Sequence, residues 1–164
     1  MVEQLELPVN AVEVVPQPGL LATWAEVQAF IFAGKATFTL VSLKTGVRFT
    51  YKVTKRKENP ADDTVYFANL LRGPDNTSDF AYMGVLRKDP ARFFWTAASG
   101  KVGRQAAAYK ALVWFVDAMK CGREVLGDTL AVWHEGACGR CGRKLTVPGS
   151  IAAGLGPECA GRMV

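Results

Sequence analysis

The sequence has 164 residues and one histidine, His134. Histidine is the side chain most often used for general acid–base catalysis, so such chemistry has few candidates here. No Gly-x-Ser-x-Gly motif, Ser/His/Asp set or ladder of carboxylates occurs, which removes the usual hydrolase signatures. Ser99-Gly100-Lys101 precedes a helical pattern, but a phosphate loop fails at both ends. Trp95 stands at its leading glycine and Val102 at its Ser/Thr position. Long apolar runs are missing too: the stretch Ala111 to Val116 stops at Asp117, too short to span a bilayer. The first residues, Met1-Val2-Glu3-Gln4-Leu5-Glu6, are acidic where a secretory signal is basic. There is no internal repeat and no low-complexity tract.

Composition is that of an ordinary folded domain, 49% hydrophobic and 21% charged. Net charge is +5, unevenly spread. Residues 1–43 carry one Lys against four Glu; residues 44–122 carry 14 basic and 7 acidic side chains; residues 123–164 carry 5 and 4. The excess lies in the middle of the chain, which makes a polyanion a candidate partner.

The periodicity predicts an α+β fold. Residues 1–20, broken by Pro8, Pro16 and Pro18, read as a tail with at most an edge strand. Thr23-Trp24-Ala25-Glu26 fits a capping box, followed by Trp24, Val27, Phe30 and Ile31 at helical spacing and Gly34 as a stop. Period two then takes over. Strands are expected over 36–42, 47–53, 64–71, 80–86 and 92–96, linked as an antiparallel meander. Ala108, Leu112, Phe115 and Met119 form a wide helical stripe ending at Gly122. The expected architecture is a sheet of about five strands packed on one long helix, residues 21–122. A C-terminal treble-clef-like zinc module follows over 123–164.

Three of the four cysteines lie in that last segment. Cys138-Gly-Arg-Cys141-Gly is a zinc-knuckle pattern, with glycines that let both thiolates turn to one ion. Cys159 follows Gly156-Pro157, a dipeptide that can start a helix and place a thiolate in its first turn. Zinc takes four ligands. The fourth is His134 or Cys121, and His134 is favoured because it needs no long loop closure. Cys121 then reads as a small buried residue under the helix. Reduced thiols holding metal imply the cytoplasm. His134-Glu135 fails the His-x-Glu spacing of zinc deaminases, so the expected zinc is structural and supplies folding energy.

The run from Cys138 to Cys159 resembles an uncharacterised small zinc-binding domain common in bacteriophage and bacterial proteins. Its hallmark is C-G-x-C-G-R-x-L followed by S-I-x-x-G-x-G-P-x-C, with a His shortly upstream. The likeness covers residues 133–162, about a fifth of the chain. It implies that Cys138, Cys141 and Cys159 are zinc ligands completed by His134. It also implies a phage or prophage origin, and hence a bacterial host cytoplasm. It brings no established activity.

A binding surface is expected on the basic strand face and its loop, at Arg48, Lys52, Lys55, Arg56 and Lys57. Tyr66, Phe80, Tyr82, Phe93, Phe94 and Trp95 lie on neighbouring strands. Cations with exposed aromatics bind single-stranded nucleic acid by phosphate attraction and base stacking. Trp114, opposite Leu112, is expected to be covered by the zinc module. The reading that results is a non-enzymatic, zinc-stabilised nucleic-acid-binding accessory protein with no membrane contact. The alternative is a module that binds a host protein, such as a phage inhibitor of a host or defence factor. A small-molecule or enzymatic role comes third.

Overall fold

Thr23 opens the first helix as its sequence requires. Its backbone is extended, its hydroxyl accepts the Glu26 N–H at 3.2 Å, and the Glu26 carboxylate accepts the N–H groups of Thr23 and Ala22. These bonds satisfy donors that a helix start otherwise leaves open. In this computed structural model, which describes residues 19–56, 65–75, 78–88, 90–96, 102–136, 139, 154 and 155, the order is β1 (Leu20–Leu21), α1 (Trp24–Ile31), β2 (Lys35–Ser42), β3 (Arg48–Lys55), β4 (Val65–Leu71), β5 (Phe80–Arg87), β6 (Arg92–Phe94), α2 (Ala107–Cys121) and β7 (Leu130–His134). The helix stop is Phe32 rather than Gly34. The Gly34 carbonyl instead accepts the Lys55 N–H and ties the start of β2 to the end of β3.

The described strands form one antiparallel sheet of seven, ordered β1-β7-β2-β3-β4-β5-β6. The five expected strands are present within two residues of their predicted bounds. Two more, β1 and β7, correct the strand count. β1 has two residues and starts inside the expected tail. β7 is five mostly buried residues, so it lacks the alternation that marks a half-exposed strand. It lies in the segment expected to form a separate module, hydrogen-bonded between β1 and β2. Its partner β2 lies some ninety residues earlier, and no local pattern reports such a pairing.

Both helices cover one face of the sheet. Val27, Phe30 and Ile31 of α1, with Leu112, Phe115 and Met119 of α2, meet Phe38, Leu40, Tyr51, Val53 and Val132 in a single apolar core. Two inward tyrosines use their hydroxyls as ties. Tyr51 donates to the Ala108 carbonyl at 2.7 Å and Tyr66 to the Phe32 carbonyl at 2.9 Å. Burial pushes the Tyr51 hydroxyl pKa well up, which keeps it a donor. Cys121 corrects an expectation: it is an exposed free thiol. It stands two residues past buried Met119, about 200° round the helix from the apolar stripe.

The β4–β5 pairing contains a bulge. Ala68 faces Gly84 and Asn69 faces Tyr82, so Met83 is the extra residue and turns into the core. A Cβ at Gly84 would overlap the Phe94 carbonyl oxygen of β6 and crowd the Phe93 ring. Gly84→Ala is therefore expected to unpair β6 and lower stability by about 1–3 kcal/mol, the usual cost of overpacking. Hydrogen exchange of the β6 amides checks this; unchanged protection would refute it.

Candidate functional site

The sheet face turned away from the helices is set by strand parity. The pairing places Thr37, Lys52, Asn69 and Tyr82 in one row across four strands, and Thr54, Phe67, Val85 and Phe94 in the next. The rows are bound together laterally. Thr39 and Thr50 share a hydroxyl hydrogen bond of 2.7 Å, and Asn69 Nδ2 donates to the Lys52 carbonyl at 3.4 Å. The Phe67 and Tyr82 rings meet edge-on at 6.1 Å, and the Thr96 hydroxyl donates to Tyr82 Oη at 3.2 Å.

Cations sit directly on these aromatics. Lys52 Nζ lies 5.5 Å from the Phe80 ring centre, and the Arg92 guanidinium 4.6 Å from that of Phe94. The seven strands contain Lys35, Arg48, Lys52, Lys55, Arg87 and Arg92, but no Asp or Glu. Arg87 and Arg92 are cross-strand partners. Like charges directly opposite each other are unfavourable, and a bound anion would relieve them.

The sequence-predicted residues divide between the two faces. Arg48 and Lys52 lie on the outer face, both in β3. Lys55 is exposed at the end of β3, opposite inward Tyr66. Arg56 follows the strand, its N–H bonded to the Val65 carbonyl. Lys57 lies outside the described residues. Phe80, Tyr82 and Phe94 are half-buried on the outer face, whereas Tyr66 is buried and Phe93 packs on Tyr109 at 5.2 Å. Tyr66 and Phe93 are thus core. Trp95 is half-buried with the Arg104 guanidinium 4.4 Å over its ring, and its buried indole N–H has no hydrogen-bond partner among the described residues. Sequence reasoning missed Lys35, Phe67, Asn69, Arg87 and Arg92. Counting parity across the hairpin between β5 and β6 could have found the two arginines.

His134 ends β7 on the inner face, 5% exposed, with its ring centre 5.3 Å from that of Phe30. Its backbone N–H bonds the Gly19 carbonyl, and its Nδ1 accepts the Gly136 N–H at 3.0 Å. Nδ1 thus presents its lone pair to the Gly136 N–H. Burial lifts the neighbouring Glu135 carboxyl above its ordinary range.

Two glycines of the C-terminal segment close on the same place. The Gly139 N–H bonds the Gly154 carbonyl at 2.8 Å, and the Gly139 carbonyl accepts the Lys35 N–H at 2.6 Å. A Cβ at Gly139 or Gly154 would come within 2.7 or 2.6 Å of Phe30 ring carbons, and the one at Gly154 within 3.4 Å of His134 Cδ2. Only glycine permits this approach. Cys138, Cys141 and Cys159 lie outside the described residues. Among the described residues no three His, Cys, Asp or Glu side chains gather to hold an ion. Trp114 is 40% exposed and shares a cavity with Arg123, Val125, Thr129 and Leu130; most of the segment expected to cover it lies outside the described residues. No described helix is long and apolar enough to cross a membrane.

No curated protein and no solved structure matches the chain. Residues 129–164, which include His134, Gly139, Gly154 and all three clustered cysteines, match a family of unknown function, DUF6011.

Proposed function

We propose that this protein binds single-stranded nucleic acid on the outer face of its sheet, without catalysing a reaction, and that zinc stabilises its C-terminal segment. One observation carries the first part: strands rich in Lys and Arg and free of carboxylates, with Lys52 and Arg92 seated on Phe80 and Phe94. Phosphates meet the cations, and unstacked bases meet half-buried rings. The test is fluorescence anisotropy with a labelled thymidine oligomer and an abasic strand of equal length. The expected result is binding that weakens steeply with salt and is stronger for the strand with bases. A flat salt response overturns the reading. Equal affinity for the abasic strand would leave the charges but remove the stacking.

Zinc would be held by His134, Cys138, Cys141 and Cys159. The donor set is the chemistry zinc prefers. Gly139, next in sequence to Cys138, and Gly154, five residues before Cys159, are hydrogen-bonded to each other, and Gly154 lies next to the His134 ring. His134 would offer one imidazole nitrogen to the ion, with its ring held against Phe30. Cys121, exposed at the end of α2, is the alternative fourth ligand. His134→Ala is expected to lower zinc content from about one per chain, while Cys121→Ala leaves it unchanged. Elemental analysis after dialysis decides between them, and the reverse order would make Cys121 the ligand.

A further inference from the structure

A cavity of about 710 Å³ lies on the opposite side of the sheet from the proposed nucleic-acid face, between the β2–β3 turn, the middle of α2 and the segment that leads into β7. That volume is in the range of small-molecule sites, roughly 300–1,000 Å³. Leu40, Phe49, Trp114 and Val125 supply much of its apolar lining. Val47 and Trp114 remain 52% and 40% exposed, although both border a concavity where apolar groups ordinarily find cover.

The polar part of the lining is of one sign. Lys44 and Arg123 line the cavity, and among the described residues no carboxylate does. Arg123 bonds Asp117 at 2.7 Å, with both side chains about half exposed. A surface ion pair of this kind is weak, so the guanidinium can take a second anion. Ser42, Thr45 and Thr129 add hydroxyl donors.

We infer that this cavity binds a small amphipathic anion, with an apolar body against Trp114 and Phe49 and a single carboxylate between Lys44 and Arg123. A volume of this kind suits a compact ligand, and the two cations in the lining select its charge. The inference stands apart from nucleic-acid binding, because none of the outer-face residues lines the cavity.

Calorimetric titration of the full chain with decanoate, decan-1-ol and decyltrimethylammonium tests it. Decanoate is expected to bind, the alcohol about tenfold more weakly and the cation not at all. Lys44→Gln with Arg123→Gln should bring decanoate down to the level of the alcohol. Ala111→Trp, which fills the cavity, should abolish binding while the thermal midpoint holds. Where that variant melts early, Val47→Glu at the exposed rim serves instead and should weaken decanoate selectively. Equal binding of the three amphiphiles overturns the inference, as does full binding by Ala111→Trp. So does a concentration-dependent dimer that Val47→Glu dissolves, because a second copy would then cover the patch.

Discussion

Phe30→Ala is expected to cost about 3–5 kcal/mol of stability, the range for removing a buried Phe from a core, and to lower zinc retention as well. The side chain is 1% exposed and belongs to the central apolar cluster. Its ring also faces the His134 imidazole and seats both Gly139 and Gly154. Truncation would open a cavity in the core and remove the surface against which Gly139 and Gly154 pack. Ile31→Val is the control, one residue along α1 and equally buried. It should cost only about 0.5–1.5 kcal/mol and leave zinc content as it was. Denaturant melts with elemental analysis separate the two effects. If Phe30→Ala keeps its zinc while losing stability, the ring supports the core alone.

Tyr82→Ala combined with Phe94→Ala is expected to weaken single-stranded binding by about 10² or more, since each stacked base contributes about 1–3 kcal/mol. Both rings are half-buried on the outer face, and the core lies on the other side of the sheet. Lys52→Gln with Arg92→Gln should act differently. Each neutralised phosphate contact lowers the salt slope by about one, so the slope rather than the base preference should change. Loss of affinity from the cation pair with an unchanged slope would mean that neither side chain meets phosphate. A thermal melt of each variant keeps binding separate from folding.

Much of the fold was legible because it rests on local rules. Thr23 and Glu26 are three residues apart, so their capping box is readable as a string. The α2 stripe and the alternation of β3 are similarly local. β7 was not legible: its residues are buried on both faces, and its partners β1 and β2 lie about a hundred residues earlier. The split of the aromatics has the same cause. Tyr66 and Phe67 are adjacent and chemically alike, yet one ties α1 to the sheet and the other faces outward. Parity relative to the helices decides that, and parity is fixed only when the strands pair.

The sequence alone determined the residue types that can act: thiols and one imidazole at zinc spacing, and a surplus of Lys and Arg on strands without carboxylates. It also determined the helices, because their caps and stripes need only neighbours within a few positions. The tertiary structure decided which face each strand residue occupies, because pairing sets the register. It brought β7 into the sheet, so that His134, Gly139 and Gly154 meet at Phe30. It also left Trp114 bordering a cavity with two cations, an arrangement that residues from distant parts of the chain make only once the sheet and α2 have closed on each other.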